Sequence, residues 1–147
     1  MEISIMTLND YEQIKSNLHE EYDDFWTEGI LKKEIENENS RLIIAKDDKN
    51  ILGFAGIWIT PVDCQITNIV VKKTNRKQGI GSKLLEKLIE IAKETKFDIL
   101  GLEVNENNLS AISLYEKYGF KIVGIRKKYY NNIDNAILMD LKISNNI

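Results

Sequence analysis

The sequence predicts a single α/β domain, residues 1–147, in which a mixed β-sheet carries helices on both faces. Its 147 residues suit one domain, since domains commonly run about 100–200 residues. Strand-like and helix-like segments alternate along the chain, and one strongly amphipathic helix lies between two short apolar strands. That arrangement predicts a parallel pair of strands joined by a right-handed crossover.

The predicted elements run in the order strand, two helices, three strands, helix, strand, helix and two strands. Asn9–Asp10, Thr27 and Asn107–Asn108 are suited to cap the first, second and fourth helices. Gly119 would end the fourth helix in the left-handed conformation. Runs of β-branched and apolar residues predict the strands Ile3–Thr7, Arg41–Lys46, Ile51–Thr60, Cys64–Val71, Ile99–Val104, Phe120–Tyr129 and Ala136–Ile143.

Composition excludes several classes of protein. Lys and Arg total 20 against 23 Asp and Glu, a net charge of −3, whereas a dedicated nucleic-acid binder is usually strongly basic. The single cysteine, Cys64, excludes an internal disulfide, and the single histidine, His19, leaves no Cys/His cluster for a metal. We expect Cys64 in the core and His19 on the surface. No apolar run approaches the roughly 18 residues of a membrane span, and the first residues do not resemble a signal peptide, so we expect a cytoplasmic protein.

Charge is distributed unevenly along the chain. Residues 20–38 hold eight acidic and two basic side chains, whereas residues 72–78 hold four basic side chains and no acidic one. Either run alone is typical of a solvated face. The basic run matters because glycines follow it at the start of the central helix.

The segment Arg76–Ser82 has the features of a phosphate-binding site. Backbone N–H groups at a helix start lack intrahelical acceptors and lie at the positive end of the helix dipole. Gly79 and Gly81 let a ligand approach these donors, and the neighbouring cations attract a polyanion. The segment is neither a P-loop nor a GxGxxG motif, which would need glycine where the chain has Leu84. Because paired glycines are also common in turns, the motif alone leaves both interpretations open.

Two motifs in order resemble the GCN5-related N-acetyltransferases (GNAT). The first, Arg76-Lys77-Gln78-Gly79-Ile80-Gly81, is similar to the family pattern of arginine or glutamine, two residues, glycine, one residue, and glycine or alanine. The strand Asn68–Val71 precedes it and the helical segment Leu84–Leu88 follows. The second motif runs from Leu102 to Phe120. The resemblance covers roughly residues 66–120, and it implies a sheet whose central parallel strands splay apart, with acetyl-CoA as co-substrate.

The resemblance also implies a set of site residues. Glu103 matches the glutamate that accepts a proton in the alanine-acetylating branch of the family, and Tyr115 matches the tyrosine that protonates the leaving sulfur. A backbone N–H on the strand before the glycines, with Val71 favoured, would stabilise the carbonyl oxygen. The implied acetyl-CoA contacts are Ile69, Val70, Val71, Arg76, Lys77, Gln78, Gly79, Ile80, Gly81, Ser82 and Asn108.

Each of these side chains also has a structural explanation that does not involve catalysis or binding. Glu103 lies near the carboxyl end of an inner parallel strand, where ligands of open sheets bind, but it is also explained as a partly exposed charge. Tyr115 lies on the inward stripe of a short helix, where aromatic residues usually pack, and Tyr118 competes with it from spacing alone. The position of Tyr118 before Gly119 favours the core. Asn108 is also explained as a helix cap.

Further segments resemble one branch of the family, the ribosomal-protein-alanine N-acetyltransferases. They are Phe25–Thr27, Arg126–Tyr130 and Ala136–Met139. This resemblance implies that the acceptor is the N-terminal alanine of a ribosomal protein, whose basic tail the acidic residues 20–38 would attract.

Two alternatives to this acceptor and function stay open. The first keeps the chemistry and acetylates a small amine, such as a polyamine or an aminoglycoside. The second is a catalytically silent acetyl-CoA-binding module, which the presence of both Glu103 and Tyr115 disfavours. We expect neither nucleic acid nor a membrane as a direct partner.

Overall fold

A computed structural model describes residues 1–22, 28–130 and 133–144 of the chain. Within these ranges seven strands form one sheet in the order β1-β2-β3-β4-β5-β7-β6. The strands are β1 Glu2–Ile5, β2 Ser40–Asp47, β3 Asn50–Ile59, β4 Cys64–Val71, β5 Ile99–Asn105, β6 Lys121–Tyr130 and β7 Asp134–Lys142. The helices are α1 Leu8–Ile14, α2 Glu28–Glu36, α3 Ile80–Lys93 and α4 Leu109–Lys117, with short helical turns at Lys15–Asn17, Leu18–Tyr22 and Lys73–Asn75. The predicted order of elements and the mixed α/β class are confirmed.

The two central strands, β4 and β5, pair in parallel over a short stretch and then separate. Their pairing joins Cys64–Ile66 of β4 to Leu100–Leu102 of β5. Both strands continue beyond this stretch, β4 to Val71 and β5 to Asn105, so a gap opens between their carboxyl ends. The predicted splaying of the central parallel strands is confirmed.

A β-bulge in β4 lies where the separation begins. On the neighbouring strand β3, Gly56 pairs with Asn68, but the next residue, Ile57, pairs with Ile66. Thr67 is therefore the extra residue, and such a bulge bends its strand and increases its twist. The bulge accounts for the divergence of β4 from β5 at this point.

Two apolar clusters cover opposite faces of the sheet. Successive residues of a strand point to opposite faces, and on β2 Ile43 packs in one cluster while Ile44 packs in the other. The first cluster holds the buried stripe of α3 together with Tyr115 of α4. The second holds the buried residues of α1 and α2. Helices therefore cover both faces, as predicted.

Three predictions about residues outside the site are confirmed. Cys64 is buried, and this burial raises the pKa of its thiol, while His19 is exposed. Gly119 has a φ of 98° and ends α4 in the left-handed region, as expected. None of the helices in the described ranges has the length and apolar character needed to cross a bilayer.

The predicted cap of the first helix is wrong, and the actual cap lies earlier in the chain. Thr7 precedes α1, and its hydroxyl accepts a hydrogen bond from the backbone N–H of Asp10 at 3.2 Å. The Asp10 carboxylate in turn accepts from the Thr7 N–H at 2.8 Å. This reciprocal capping box satisfies two helix-start donors, whereas a cap at Asn9–Asp10 would forgo it. The predicted cap of the second helix, Thr27, lies outside the described residues.

Asp10 is buried and also makes an ion pair with the partly exposed Lys46, whose Nζ lies 2.7 Å from its Oδ1. Burial works to raise the pKa of Asp10, but the hydrogen bonds from Lys46 and Thr7 outweigh it and leave this pKa lowered.

We expect Asp10→Asn to lower the free energy of unfolding by about 1–2 kcal/mol at pH 7. Because the folded-state pKa is the lower one, this contribution is present above the unfolded pKa and is lost as pH falls through the folded value.

Urea unfolding at pH 7 and at about pH 3 measures this effect, and the difference between the variant and the wild type should shrink at the lower pH. Glu12→Gln is the matched control, because Glu12 lies on the same helix as Asp10 and forms an exposed ion pair with Lys15. We expect it to cost less than about 0.5 kcal/mol. Equal losses in the two variants at pH 7 would contradict a special role for Asp10.

Candidate active site

A cleft of about 860 Å³ opens where β4 and β5 separate. Its walls come from the end of β4, the segment before α3, the end of β5 and the start of α4. The predicted site residues that line it are Ile69, Val70, Val71, Arg76, Lys77, Gly79, Ile80, Gly81, Ser82, Glu103, Asn108 and Tyr115. Gln78 is exposed and does not line the cleft. The fold thus brings together nearly all the side chains that the sequence singled out.

The start of α3 presents its backbone donors to this cleft. Gly79 is the residue before the helix, and the first helical hydrogen bond runs from the Lys83 N–H to the Gly79 carbonyl at 3.2 Å. The N–H groups of residues 80–82 therefore precede the first intrahelical bond. Their position at the positive end of the helix dipole suits an anionic ligand.

The two glycines of this segment meet different constraints. Gly79 has a φ of 81°, a conformation that residues with a Cβ rarely adopt, and a Cβ there would face open space. A Cβ on Gly81 would lie 3.6 Å from Leu114 Cδ2 and 3.7 Å from Val71 Cγ2, which is ordinary van der Waals contact. Gly79 is thus required by the backbone conformation, whereas Gly81 has room for a methyl group.

We expect Gly79→Ala to raise the dissociation constant for acetyl-CoA about tenfold. Forcing a Cβ into the left-handed region costs about 1–2 kcal/mol, and the loop relieves that strain by moving its amides. Isothermal titration calorimetry measures the affinity, and Gly81→Ala is the comparison, with an expected change of about twofold or less. A larger effect at position 81 than at position 79 would contradict this account of the loop.

The hydrogen-bond register of β4 directs a backbone donor into the cleft. Lys72 donates its N–H to the Leu52 carbonyl at 2.7 Å, and the preceding residue, Val71, pairs with Gly53. In an antiparallel ladder this makes Val71 and Gly53 a non-hydrogen-bonded pair, so the Val71 N–H points away from β3. It points toward the gap left by β5. Val71 thus has the orientation expected of a donor to a carbonyl oxygen.

The Arg76 side chain is bonded to the protein itself. Its Nε donates to the Val71 carbonyl at 3.3 Å, and its Nη2 donates to the Tyr22 carbonyl at 3.1 Å. Lys73 Nζ donates to the neighbouring His19 carbonyl at 3.2 Å. These bonds tie the loop before α3 to the helical turn at Leu18–Tyr22. This bracing of the loop by Arg76 was not predicted from the sequence.

Glu103 lies on the sheet face opposite its neighbours Leu102 and Val104, which pack in the cluster with α3. Its side chain is 21% exposed, and its Oε1 lies 2.8 Å from Nη2 of Arg126 on β6. A charge-assisted bond of this length holds the carboxylate in a defined orientation. This pairing spans the intervening strand β7, and it was not predicted, although Arg126 belongs to a segment that resembles the family.

Tyr115 and Tyr118 have different surroundings, and this difference shows which of the two tyrosines lines the cleft. Tyr115 is buried, lines the cleft, and packs against Phe120 with ring centroids 5.5 Å apart. Tyr118 is half-buried, and its hydroxyl donates to Glu86 on α3 at 2.5 Å. That hydrogen bond raises the pKa of Tyr118 and lowers the pKa of Glu86. Tyr118 joins two helices, and Tyr115 is the tyrosine that belongs to the cleft.

Two asparagines of the cleft lining, Asn108 and Asn68, differ in how their side chains are hydrogen-bonded. Asn108 caps α4, because its Oδ1 accepts from the Ala111 N–H at 3.3 Å, so its structural role is confirmed. Asn68, on the bulged part of β4, was not predicted. Its Oδ1 accepts from the Thr67 hydroxyl at 3.1 Å, while its Nδ2 is buried without a partner among the described residues. Leaving a buried donor unsatisfied costs about 1–3 kcal/mol. A donor that stays unsatisfied at this cost points to a functional role.

The cleft is lined by cationic side chains and by backbone amide donors. In the ranges that the structure describes, no cluster of three or more His, Cys, Asp or Glu side chains could bind an ion. The donors are the amides at the start of α3 and the Val71 N–H, with Arg76 and Lys77 beside them. Such a set fits the diphosphate and the acyl oxygen of acetyl-CoA.

These features define an acetyltransferase, and the chain belongs to the acetyltransferase (GNAT) family, whose model matches residues 8–120. It is similar to the ribosomal protein bS18-alanine N-acetyltransferase of Haemophilus influenzae, with 38% identity over 120 residues that cover 78% of this chain and 80% of that protein. The crystal structure of the ribosomal-protein-S18-alanine N-acetyltransferase from Escherichia coli superposes with a TM-score of 0.86. It is 27% identical, and the match covers 99% of this chain and 97% of that one.

A second similar structure is that of a GNAT family acetyltransferase from Elizabethkingia anophelis with acetyl-CoA bound. Its TM-score is 0.76 at 24% identity, and the match covers 96% of this chain and 97% of that chain. At this identity the likeness shows the fold alone.

Proposed function

We propose that residues 1–147 form one N-acetyltransferase domain that transfers an acetyl group from acetyl-CoA to the N-terminal alanine of ribosomal protein bS18. The observation that carries the proposal is the similarity to S18-alanine N-acetyltransferases, which covers 78% of the chain in sequence and 99% in structure. Family membership supports the chemistry, and the named relatives support the acceptor. We place the reaction in the cytoplasm, where ribosomal proteins are made.

The residues of the cleft fit acetyl-CoA, which supplies an acetyl group activated as a thioester. In the proposed complex the N–H groups of residues 80–82 bind the diphosphate, and Lys77 adds positive charge beside them. The Val71 N–H donates to the acetyl carbonyl oxygen as that oxygen gains negative charge. Asn108 contributes at the start of α4, next to the same cleft.

Glu103 and Tyr115 are the proposed proton acceptor and donor. An α-amino group has a pKa near 8, so much of it is protonated at neutral pH and cannot attack. Glu103 takes this proton, directly or through a water, and later releases it to solvent. As the new C–N bond forms and the C–S bond breaks, Tyr115 gives a proton to the departing sulfur. The nitrogen loses its remaining extra proton, which restores the tyrosine, so the products are an amide, a thiol and one released proton.

Exposed acidic side chains support a basic protein substrate. Glu20, Glu28, Glu36 and Glu38 are exposed on or next to helical segments that pack on the sheet face toward which Glu103 points. Asp23 and Asp24, which belong to the same acidic run, lie outside the described residues. A negative rim speeds the encounter with a basic polypeptide tail, and its effect decreases as ionic strength rises.

The test is an acetylation assay with a panel of acceptors. The purified protein is incubated with acetyl-CoA and a peptide that reproduces the bS18 N-terminus, and mass spectrometry locates the acetyl group. We expect it on the α-amino group of alanine, with no product from the same peptide blocked at its N-terminus. Spermidine and an aminoglycoside complete the panel, and faster acetylation of either one would overturn the proposed acceptor while leaving the acetyl-transfer chemistry intact.

A further inference from the structure

The end of the β6–β7 hairpin is tied to the end of β5 by a network of hydrogen bonds. The carboxylate of Glu106 accepts from the backbone N–H of Asn135 at 2.7 Å and from its Nδ2 at 3.3 Å. The side-chain carbonyl of Asn135 accepts from the Lys128 N–H at 2.8 Å, where β6 departs from its regular register. Asn105 Nδ2 also donates to Asp134 at 3.1 Å. The hairpin is therefore fixed relative to the strand that carries Glu103.

This anchoring sets the position of Arg126 on β6. Arg126 pairs across the sheet with Ala136 of β7, and Glu103 on β5 pairs with Leu138 of the same strand. Because Ala136 and Leu138 are two residues apart, the two charged side chains share one face of the sheet. The Arg126 guanidinium reaches across β7, and its Nη2 lies 2.8 Å from Oε1 of the Glu103 carboxylate.

We propose that Arg126 is the positioning residue of the proton acceptor Glu103, an inference that rests on the proposed function. By holding Oε1, Arg126 fixes the orientation of the carboxylate relative to the cleft that Glu103 lines. Arg126 therefore acts through Glu103, without bonding to the reacting atoms.

A purely structural salt bridge predicts different behaviour. The Arg126 side chain is 53% exposed, and ion pairs with such exposed partners contribute about 0–1 kcal/mol to stability. Removing the Arg126 side chain is therefore expected to leave the fold intact. A lower rate in such a variant would then come from the loss of positioning and not from unfolding. Misplacing a catalytic group by about 1 Å lowers rates by up to about 100-fold, mainly through kcat.

The test is a double-mutant cycle measured at one pH with a wild-type and a Glu103→Gln background. In the wild-type background we expect Arg126→Gln to lower kcat about tenfold while the KM for acetyl-CoA stays within about twofold. In the Glu103→Gln background the same change should alter the rate by less than about twofold, because the glutamine that Arg126 would then position cannot accept a proton. Mass spectrometry follows the slow variants.

Lys127→Gln is the matched control, because it removes an exposed positive charge from the next position of β6. It should leave kcat near the wild-type value. Equal losses from Arg126→Gln in the two backgrounds, or no loss in the wild-type background, would overturn the positioning role. The cycle is run on whichever amine the wild-type protein acetylates, so rejection of the bS18 peptide would count against the proposed acceptor and not against Arg126.

Discussion

Replacing Glu103 with glutamine is expected to lower kcat for peptide acetylation about 100-fold at pH 7. The substitution keeps the size of the side chain and an oxygen that can accept from Arg126, whose Nη2 lies 2.8 Å from the carboxylate. It removes the ability to take a proton from the acceptor ammonium. The loss therefore reports on proton transfer and not on a change in shape.

The pH dependence of this loss is its diagnostic feature. An α-amino group with a pKa near 8 is mostly neutral at about pH 9.5, and it then needs no base to become a nucleophile. We expect the deficit of Glu103→Gln to shrink by about tenfold between pH 7 and pH 9.5. Steady-state rates across this range measure it. Glu116→Gln, at an exposed position on α4, is the charge control and should follow the wild-type profile. A deficit that is independent of pH would show that Glu103 is not the base.

Replacing Tyr115 with phenylalanine has the second largest expected effect, a decrease in kcat of about 10- to 100-fold. The ring stays, so its packing against Phe120 at a centroid distance of 5.5 Å is retained. Only the hydroxyl is lost, and with it the proposed proton for the leaving sulfur. Acetyl-CoA affinity, measured by calorimetry, should stay within about twofold, since the phenol is not needed to bind the diphosphate.

Tyr118→Phe provides the contrast, because it removes the hydroxyl that bonds to Glu86 outside the cleft. We expect a small change in stability, below about 1 kcal/mol, and wild-type turnover. If Tyr115→Phe instead abolished acetyl-CoA binding or lowered the melting temperature as much as a core deletion does, packing would be the real role of Tyr115.

Much of the fold was predictable because local patterns and packing agree. The stripe on α3 repeats at the helical period, and its apolar residues are the ones that are buried. The cap at Asn108 and the left-handed Gly119 follow from local chemistry that any α/β chain uses. The first cap was misplaced because Thr7, Asn9 and Asp10 are all good capping residues, and only the reciprocal bonds between Thr7 and Asp10 distinguish them.

The candidate site was predictable where its residues lie close in sequence. The segment Arg76–Ser82 is continuous, and its helix-start amides follow from secondary structure alone. The pairing of Glu103 with Arg126 was not predictable, because it depends on the insertion of β7 between β5 and β6. The buried amide of Asn68 depends in the same way on a bulge, whose register is decided by pairing with β3.

We expect acetyl-CoA to bind where β4 and β5 separate, with its diphosphate on the amides at the start of α3. A crystal structure of the protein with acetyl-CoA would show this placement. We expect the diphosphate within hydrogen-bonding distance of the N–H groups of residues 80–82, the acetyl oxygen at the Val71 N–H, and the sulfur beside Tyr115. Coenzyme bound elsewhere, or helix-start amides bonded to the protein's own side chains, would contradict the account.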